Sequence, residues 1–467
     1  MMTPQNPSSN KLSLNFLLMV TMSSHFLNPF MGSSINLALK QIGVEFSMSA
    51  VGLSWISMSY LLSSAIFLVP FGKLGDLYGR RKILIIGLIG FSVTTLLCSL
   101  AFSPITLITF RLLQGIFSAM MVSNNMALII SSYPPEQRGK VIGLNVSSVY
   151  VGSSLAPIIG GFLTDTLGWR SIFYIISVLS LMITIVLMTK VPKEKSTEVK
   201  ERFDYWGSAI FMIAISFLMY GFSKLPVPNA IVLTLLGLIG LGVFVWVELK
   251  TETPVLNVRL FAENRVFTLS NISALINYAS TFAITFMLSL YLQFVMGLDA
   301  YKAGLVLIAQ PVMMALVASF SGRLSDRKNP RYLAAIGMAI SMLGLFTLTF
   351  IHQNSSLLFI VIGLAVLGFG FGLFSSPNTN VVMSSVDKKI YGTASAILAT
   401  MRSTGMMFSM AIASLSMHLF LGNQKINPTN MSDFMNSTRT VFIIFSILSF
   451  IGVFFSLAKR KVQNNPV

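Results

Sequence analysis

Charge is scarce in this chain of 467 residues, and acidic charge is the scarcest. Only 10% of the residues are charged, with 15 Asp and Glu against 32 Lys and Arg. Soluble domains carry about 25%. With 54% hydrophobic residues and a mean hydropathy of +0.78, the composition excludes an ordinary soluble domain and describes an all-α integral membrane protein. One cysteine, Cys98, excludes a disulfide framework and argues against a Cys-based metal or redox centre. No G-x-x-x-x-G-K-[ST] stretch occurs, which argues against ATP-driven pumping. No metal cluster, acid pair or nucleophile–base set suggests an enzyme, and no cofactor or metal is expected. No attached soluble domain is large enough to signal, which argues against a sensor or scaffold. No cleavable leader is evident, because the polar Met1–Lys11 runs directly into an apolar segment. The net charge of +17 would suggest nucleic acid on a soluble protein. Here it reads as positive-inside bias, so the partner is the lipid bilayer and not nucleic acid.

What the chain has is long apolar runs. A spanning helix needs about 20 mostly apolar residues. Fourteen segments meet that length, near 13–38, 50–70, 82–101, 105–129, 140–163, 170–189, 205–223, 229–248, 267–294, 302–321, 332–351, 356–380, 391–421 and 439–458. With the N-terminus inside, 24 of the 32 Lys and Arg fall on the inner side and 6 on the outer. That asymmetry predicts both termini cytoplasmic. Arg111 and Arg402 remain inside spans.

Gly72–Lys82 reads G-K-L-G-D-L-Y-G-R-R-K, and the spacing predicts a tight inner turn between two spans. Gly322–Arg331 (G-R-L-S-D-R-K-N-P-R) repeats its G-x-L-x-D frame 250 residues later. Six spans with loops account for roughly 190–200 of those residues. The excess predicts two spans inserted between two six-helix halves. The expected parts are a first half at 13–189, a linker with the inserted pair at 190–266, a second half at 267–458 and a tail at 459–467.

Further motifs follow in order: Asn36-Leu-Ala-Leu, Arg111-Leu-Leu-Gln114-Gly115, Gly152-Ser-Ser-Leu-Ala-Pro157-Ile-Ile-Gly160-Gly161, Pro254–Phe261 and Met401-Arg402-Ser-Thr-Gly405. Together with the Gly72–Lys82 signature they resemble the 14-helix drug:proton antiporter branch of the major facilitator superfamily. The resemblance covers nearly the whole chain. It implies a multi-pass cell-membrane antiporter, working as a monomer by alternating access. Its partners would be a small-molecule substrate and protons.

The resemblance implies that Gly72, Gly75, Asp76, Gly79, Arg80 and Arg81, with Gly322, Asp326 and Arg327 in the second half, form a latch between the halves. A plain turn carrying a topology signal is the simpler alternative. Arg111 is an intramembrane cation and so a functional candidate. The resemblance gives it a coupling or core-ordering role with Gln114 and Gly115, and snorkelling to the nearby interface is the alternative. Arg402 lies deeper, near the midplane. Gly152, Pro157, Gly160 and Gly161 make a kinked helix that packs closely on a neighbour, in keeping with the antiporter motif they resemble.

Related exporters carry an Asp five residues before the Asn of the first motif, and here that position is Met31. All 15 acidic residues fall in loops or at helix ends. A core with two arginines and no acid suits neutral or anionic substrates better than cations. His25 is the remaining deep titratable group, either coupling protons or simply hydrogen-bonded within the bundle. Substrate contacts are expected from midplane polar and aromatic residues: Asn28, Asn36, Trp55, Tyr60, Asn277, Tyr278, Phe282, Tyr291, Gln293, Gln310, Asn378 and Asn380. The expected function is export of lipophilic compounds by proton exchange. The alternative is a proton-independent facilitator or exchanger of a neutral or anionic solute.

Overall fold

A computed structural model describes residues 7–192, 203–387 and 390–457 of the chain. The side chains of residues 7–13, 135, 136, 138–140, 326 and 392 lie outside that description. Most of the linker expected at 190–202 and the tail at 459–467 also lie outside it.

The described residues are helical, with no strand among them. Six long helices come first: α1 (Pro7–Glu45), α2 (Ala50–Tyr78), α3 (Arg80–Ser99), α4 (Pro104–Ser132), α5 (Pro135–Leu167) and α6 (Arg170–Lys190). Then come α7 (Tyr205–Ser223) and α8 (Pro228–Lys250), and a short helix at Arg259–Glu263. Six more follow. The helix α9 consists of Arg265–Thr281 and Ala283–Leu290 and ends in a π-helical turn, Tyr291–Val295. The helix α10 consists of Ala300–Leu307 and Ala309–Arg327. The last four are α11 (Pro330–Leu348), α12 (Leu357–Ser384), α13 (Tyr391–Leu421) and α14 (Met431–Ser456).

Thirteen of these segments are long and apolar enough to cross a membrane. The helix α1 has the length, 39 residues, but carries inward-facing polar residues, with Thr21, Ser24, Ser34 and Asn36 all buried. On α8 the apolar side chains of Leu235, Leu236, Ile239 and Trp246 stand exposed, a face that requires hydrocarbon around it.

Helix starts follow local chemistry. Ser103 caps α4 in a reciprocal box with Thr106, with Pro104 at the first helical position. Ser49, Asp204, Asn264, Asp299 and Ser356 each accept a hydrogen bond from a first-turn backbone N–H.

The pairing of helices repeats. In the first six, α1 packs on α5 and α6, α2 on α4, and α3 on α4 and α6. In the last six, α9 packs on α13 and α14, α10 on α12, and α11 on α12 and α14. The contacts between the sets repeat as well, α2 against α13 and α5 against α10. The helices α7 and α8 pack mainly on each other, and α7 rests on α2 and α13.

The predicted turn at Gly72–Lys82 is narrower than the spacing suggested. Residues 72–78 continue α2, and only Gly79 leaves the helix, at φ 99°. The Gly79 N–H still bonds the Gly75 carbonyl, so the glycines before it sustain the helix. At φ 99° a Cβ would be strained, which fixes the glycine at that position. Asp76 therefore sits in the last turn of α2, and not at a helix start. The echo behaves alike: 322–327 is helical and the break falls at Lys328–Asn329.

Candidate functional site

The first six helices enclose a connected polar network. Arg111, 1% exposed, donates from Nε to the Ile56 carbonyl of α2 at 3.0 Å and from NH1 to Gln114 Oε1 at 2.5 Å. Its guanidinium lies 4.3 Å from the Tyr60 ring centroid. Gln114 Nε2 passes the chain on to Thr95 of α3 at 2.6 Å. The Tyr60 hydroxyl donates to Asn28 Oδ1 at 2.7 Å, and Asn28 Nδ2 donates to Ser118 at 2.9 Å. Buried to 1% and bonded to α2 and α4, Arg111 turns into the bundle and not toward the interface. Gly115 permits it, since a Cβ there would strike the Tyr60 carbonyl. His25 meets Asn145 of α5 at 3.0 Å.

The last six helices present a different arrangement. Arg402 donates to Thr379 Oγ1 at 2.6 Å and stands 5.7 Å from the Tyr278 ring. Tyr278 meets Phe371 edge-on at 5.1 Å. The Nε of Arg402, both amide atoms of Asn277 and Nδ2 of Asn378 are buried with no protein partner. Tyr150 of α5, which the sequence reading did not single out, lies within electrostatic reach of Ser375, Tyr278 and Arg402 across the boundary between the two sets.

At one end of the bundle the two sets are joined by hydrogen bonds. Lys40 donates to the Gln293 carbonyl at 2.8 Å, Ser289 to the Asn36 carbonyl at 2.7 Å, and Ser54 to Ser414 at 2.9 Å. Asp165 accepts from the N–H groups of Ala300 and Tyr301, at 3.2 and 2.7 Å, and so caps α10 from α5. Gly161 faces the Ala300 backbone, and Gly304 faces the Pro157 carbonyl. Gly152 and Gly160 bring α5 against Phe26 and Ser34 of α1. The antiporter-like motif is thus the surface along which α5 meets both α1 and α10. At the opposite, basic end, Asp76 pairs with Arg80 at 2.8 Å across Gly79, and Arg80 also bonds the Ala127 carbonyl. Arg81 donates to the carbonyls of Leu187, Met188 and Val191. Arg327 is exposed, and the Asp326 side chain lies outside the description.

The remaining cavity candidates scatter. Trp55 packs on Tyr220 of α7, 5.7 Å between rings. Asn36 Oδ1 accepts from Ser57. Tyr291 donates to the His352 carbonyl and Gln293 to Ser289, both at the hydrogen-bonded end. Gln310 receives a long 3.4 Å contact from Thr285 at the break in α10, Phe282 is the residue at the break in α9, and Asn380 donates to Ser325. Residues that sequence reasoning passed over, Thr95, Ser118 and Asn145, are small polar groups whose partners lie 19 to 120 positions away.

A twofold-repeated helical bundle with polar networks facing its interior, and an apolar exterior, is an architecture that membrane transporters use. The family model of the Major Facilitator Superfamily matches residues 21–410, and the chain belongs to that superfamily. It is 26% identical over 432 residues, 92% of this chain and 93% of the relative, to the riboflavin transporter RibZ of Clostridioides difficile. It is 29% identical over 384 residues, 81% of this chain and 71% of the relative, to the multidrug resistance protein Stp of Mycobacterium tuberculosis. The lincomycin resistance protein LmrB of Listeria innocua is 26% identical, with 94% and 95% covered. Among solved structures, an inward-facing, unoccupied bacterial homologue of the lysosomal transporter Spinster matches with a TM-score of 0.69 at 17% identity, covering 97% of each chain. A D-xylose–proton symporter matches at 0.67 and 16%, covering 95% of this chain and 97% of the other.

Proposed function

We propose that the chain is a 14-span, proton-coupled exporter of lipophilic small molecules, monomeric, with both termini cytoplasmic. It would comprise two halves, 13–189 and 267–458, around an inserted pair. The observation that carries this reading is the hydrogen-bonded seam at one end of a twofold-repeated bundle. The seam joins the two sets of six at the end opposite the basic turns, which supports a state open toward the cytoplasm if the basic turns are cytoplasmic as proposed. Alternating access then requires that Lys40, Ser54, Asp165 and Ser289 release their partners while the basic ends close. The Asp76–Arg80 turn and its echo at Asp326–Arg327 would latch that second state. Substrate would contact Tyr278, Asn277, Asn378 and Arg402 on one side and Tyr150 on the other. The resistance functions named for Stp and LmrB favour efflux.

A second reading is favoured by the core charges. Arg111 is buried and Arg402 half-buried within the two sets, and among the described residues no carboxylate forms an ion pair with either. An uncoupled carrier of a neutral or anionic solute needs no core acid, and the transport named for RibZ fits that chemistry. Transport in inside-out vesicles under an imposed pH gradient separates the readings. Accumulation of lipophilic substrates that collapses when the gradient is dissipated supports proton exchange. Equilibration of neutral and anionic solutes, indifferent to the gradient, supports the second reading and sinks the first.

A further inference from the structure

Arg402 of α13 meets α9 and α12 through its side chain, and its guanidinium is held in one orientation. The Thr379 hydroxyl donates to the Ser375 carbonyl at 2.8 Å, so its oxygen is left to accept from Arg402 NH2 at 2.6 Å. An arginine offers five N–H donors in a rigid planar fork and no acceptor. With one amino group anchored on Thr379, the Nε of the fork is buried and has no protein acceptor. Asn378, one residue before that anchor and 2% exposed, holds a second buried donor without an acceptor, its Nδ2. The neighbouring surfaces are aromatic. The Tyr278 ring stands 5.7 Å from the guanidinium and meets Phe371 edge-on at 5.1 Å. Tyr150 approaches from α5 of the first set, within electrostatic reach of both Arg402 and Tyr278. Arg402, Thr379, Tyr278 and Tyr150 are each half-buried, so the group keeps an open side although it lies among helices.

Donors without acceptors are completed by a ligand that brings acceptors, and a guanidinium keeps its charge at any working pH. Hydrogen bonds between ionised partners are roughly twice as strong as neutral ones, and the two oxygens of a carboxylate match an arginine fork side by side. A cationic head would meet like charge at the same place. The ring of an aromatic ligand finds offset or edge-on partners in Tyr278 and Phe371. We infer that this group determines specificity by selecting planar aromatic acids, with the carboxylate on the Arg402 fork and the ring against Tyr278. The inference rests on the substrate contacts proposed above. It concerns recognition only, so it holds for an exporter and for an uncoupled carrier alike, and it narrows the substrate from lipophilic, neutral or anionic compounds to aromatic anions.

Binding, and not transport, tests it. Full-length protein in nanodiscs is titrated calorimetrically with naphthoate, naphthamide and naphthylmethylammonium, probes that share one ring system and differ in the charge of the head. Empty nanodiscs give the reference for partition into lipid. The wild type binds naphthoate at least tenfold tighter than the amide, and the ammonium probe weakest. Arg402→Gln brings naphthoate down to the affinity of the amide, and Arg402→Lys, which keeps the charge and loses the fork, falls between. Asn378→Leu weakens naphthoate severalfold and serves the comparison if the Arg402 variants fail to fold. Equal or tighter binding of the ammonium probe overturns the inference, and so does naphthoate affinity that neither Arg402→Gln nor Asn378→Leu changes. Tyr278→Ala separates that failure from a failure of the site. If it weakens all the probes while the wild type shows no preference among heads, the site stands and the selection for acids falls. If it and Arg402→Gln leave every affinity unchanged, the proposed substrate site falls as well.

Discussion

The two sets of six helices share a pairing pattern and differ in how their polar interiors are satisfied. In the first set, Arg111, Gln114, Thr95, Tyr60, Asn28 and Ser118 spend their donors and acceptors on each other and on α2. In the last set, Asn277, Asn378 and Arg402 keep buried polar atoms without a protein partner. A buried unpaired group costs about 1–3 kcal/mol. A fold retains that cost where a ligand or a moving partner repays it. The first set leaves Asn125 Oδ1 unpartnered as well, and under the proposed function the Arg111 network would hold the fold while the Arg402 group would bind.

The comparison breaks most visibly at Arg111. Arg111→Ala strips the Ile56 carbonyl, Gln114 and the Tyr60 face of their shared partner at once. Stability should fall by on the order of 3 kcal/mol, with transport lost, as read by thermal unfolding beside vesicle uptake. A stable, inactive Arg111→Ala would instead make the arginine a binding residue.

Asn277→Leu is the counterpart. It removes two unpaired buried amide atoms at nearly constant volume. Stability should hold or rise by about 1–3 kcal/mol, while transport drops at least tenfold. Destabilisation comparable to that of Arg111→Ala would erase the distinction between the halves.

Asp76→Asn sharpens the contrast at the basic end. Asp76 and Arg80 are 49% and 28% exposed. Losing that pair should therefore cost less than about 1 kcal/mol. Transport should nevertheless stop, because the turn is needed in the other state. Wild-type uptake by the variant reduces the turn to a topology signal.

The smallest effect is expected at Glu45. Hydrogen bonds from Arg170, at 2.7 and 2.9 Å, hold its carboxyl below the usual range. This stabilisation is present above the unfolded value, about pH 4.3, and is lost as pH falls through the folded value. Both partners are more than a third exposed, so screening keeps it under about 1 kcal/mol. Glu45→Gln should flatten the acid limb of the stability curve below about pH 4 and leave the neutral midpoint nearly unchanged.

Much of the fold was legible because it rests on local signals. Apolar runs of spanning length, caps such as Ser103 and Asp299, and the echo of Gly72–Arg80 at Gly322–Arg331 all act within a few residues or by simple repetition. The break in α10 falls at Ile308, two residues before Gln310. The π-helical turn at Tyr291–Val295 was not legible, since nothing in its residues departs from an α-helical pattern. The site was legible in part. Arg111 with Gln114 is an i,i+3 pair that any helix brings together. The contact of Trp55 with Tyr220 was not legible, because helical spacing alone does not reveal that α7 lies on its face.

By itself the sequence determined a polytopic helical membrane protein, because hydrocarbon admits few architectures and apolar runs of spanning length select the helical one. Only the tertiary structure decided which polar groups close on each other and which stay open. Hydrogen-bond partners such as Asn28 and Ser118, or Asp165 and Tyr301, lie 90 and 136 positions apart, and their meeting depends on how whole helices pack.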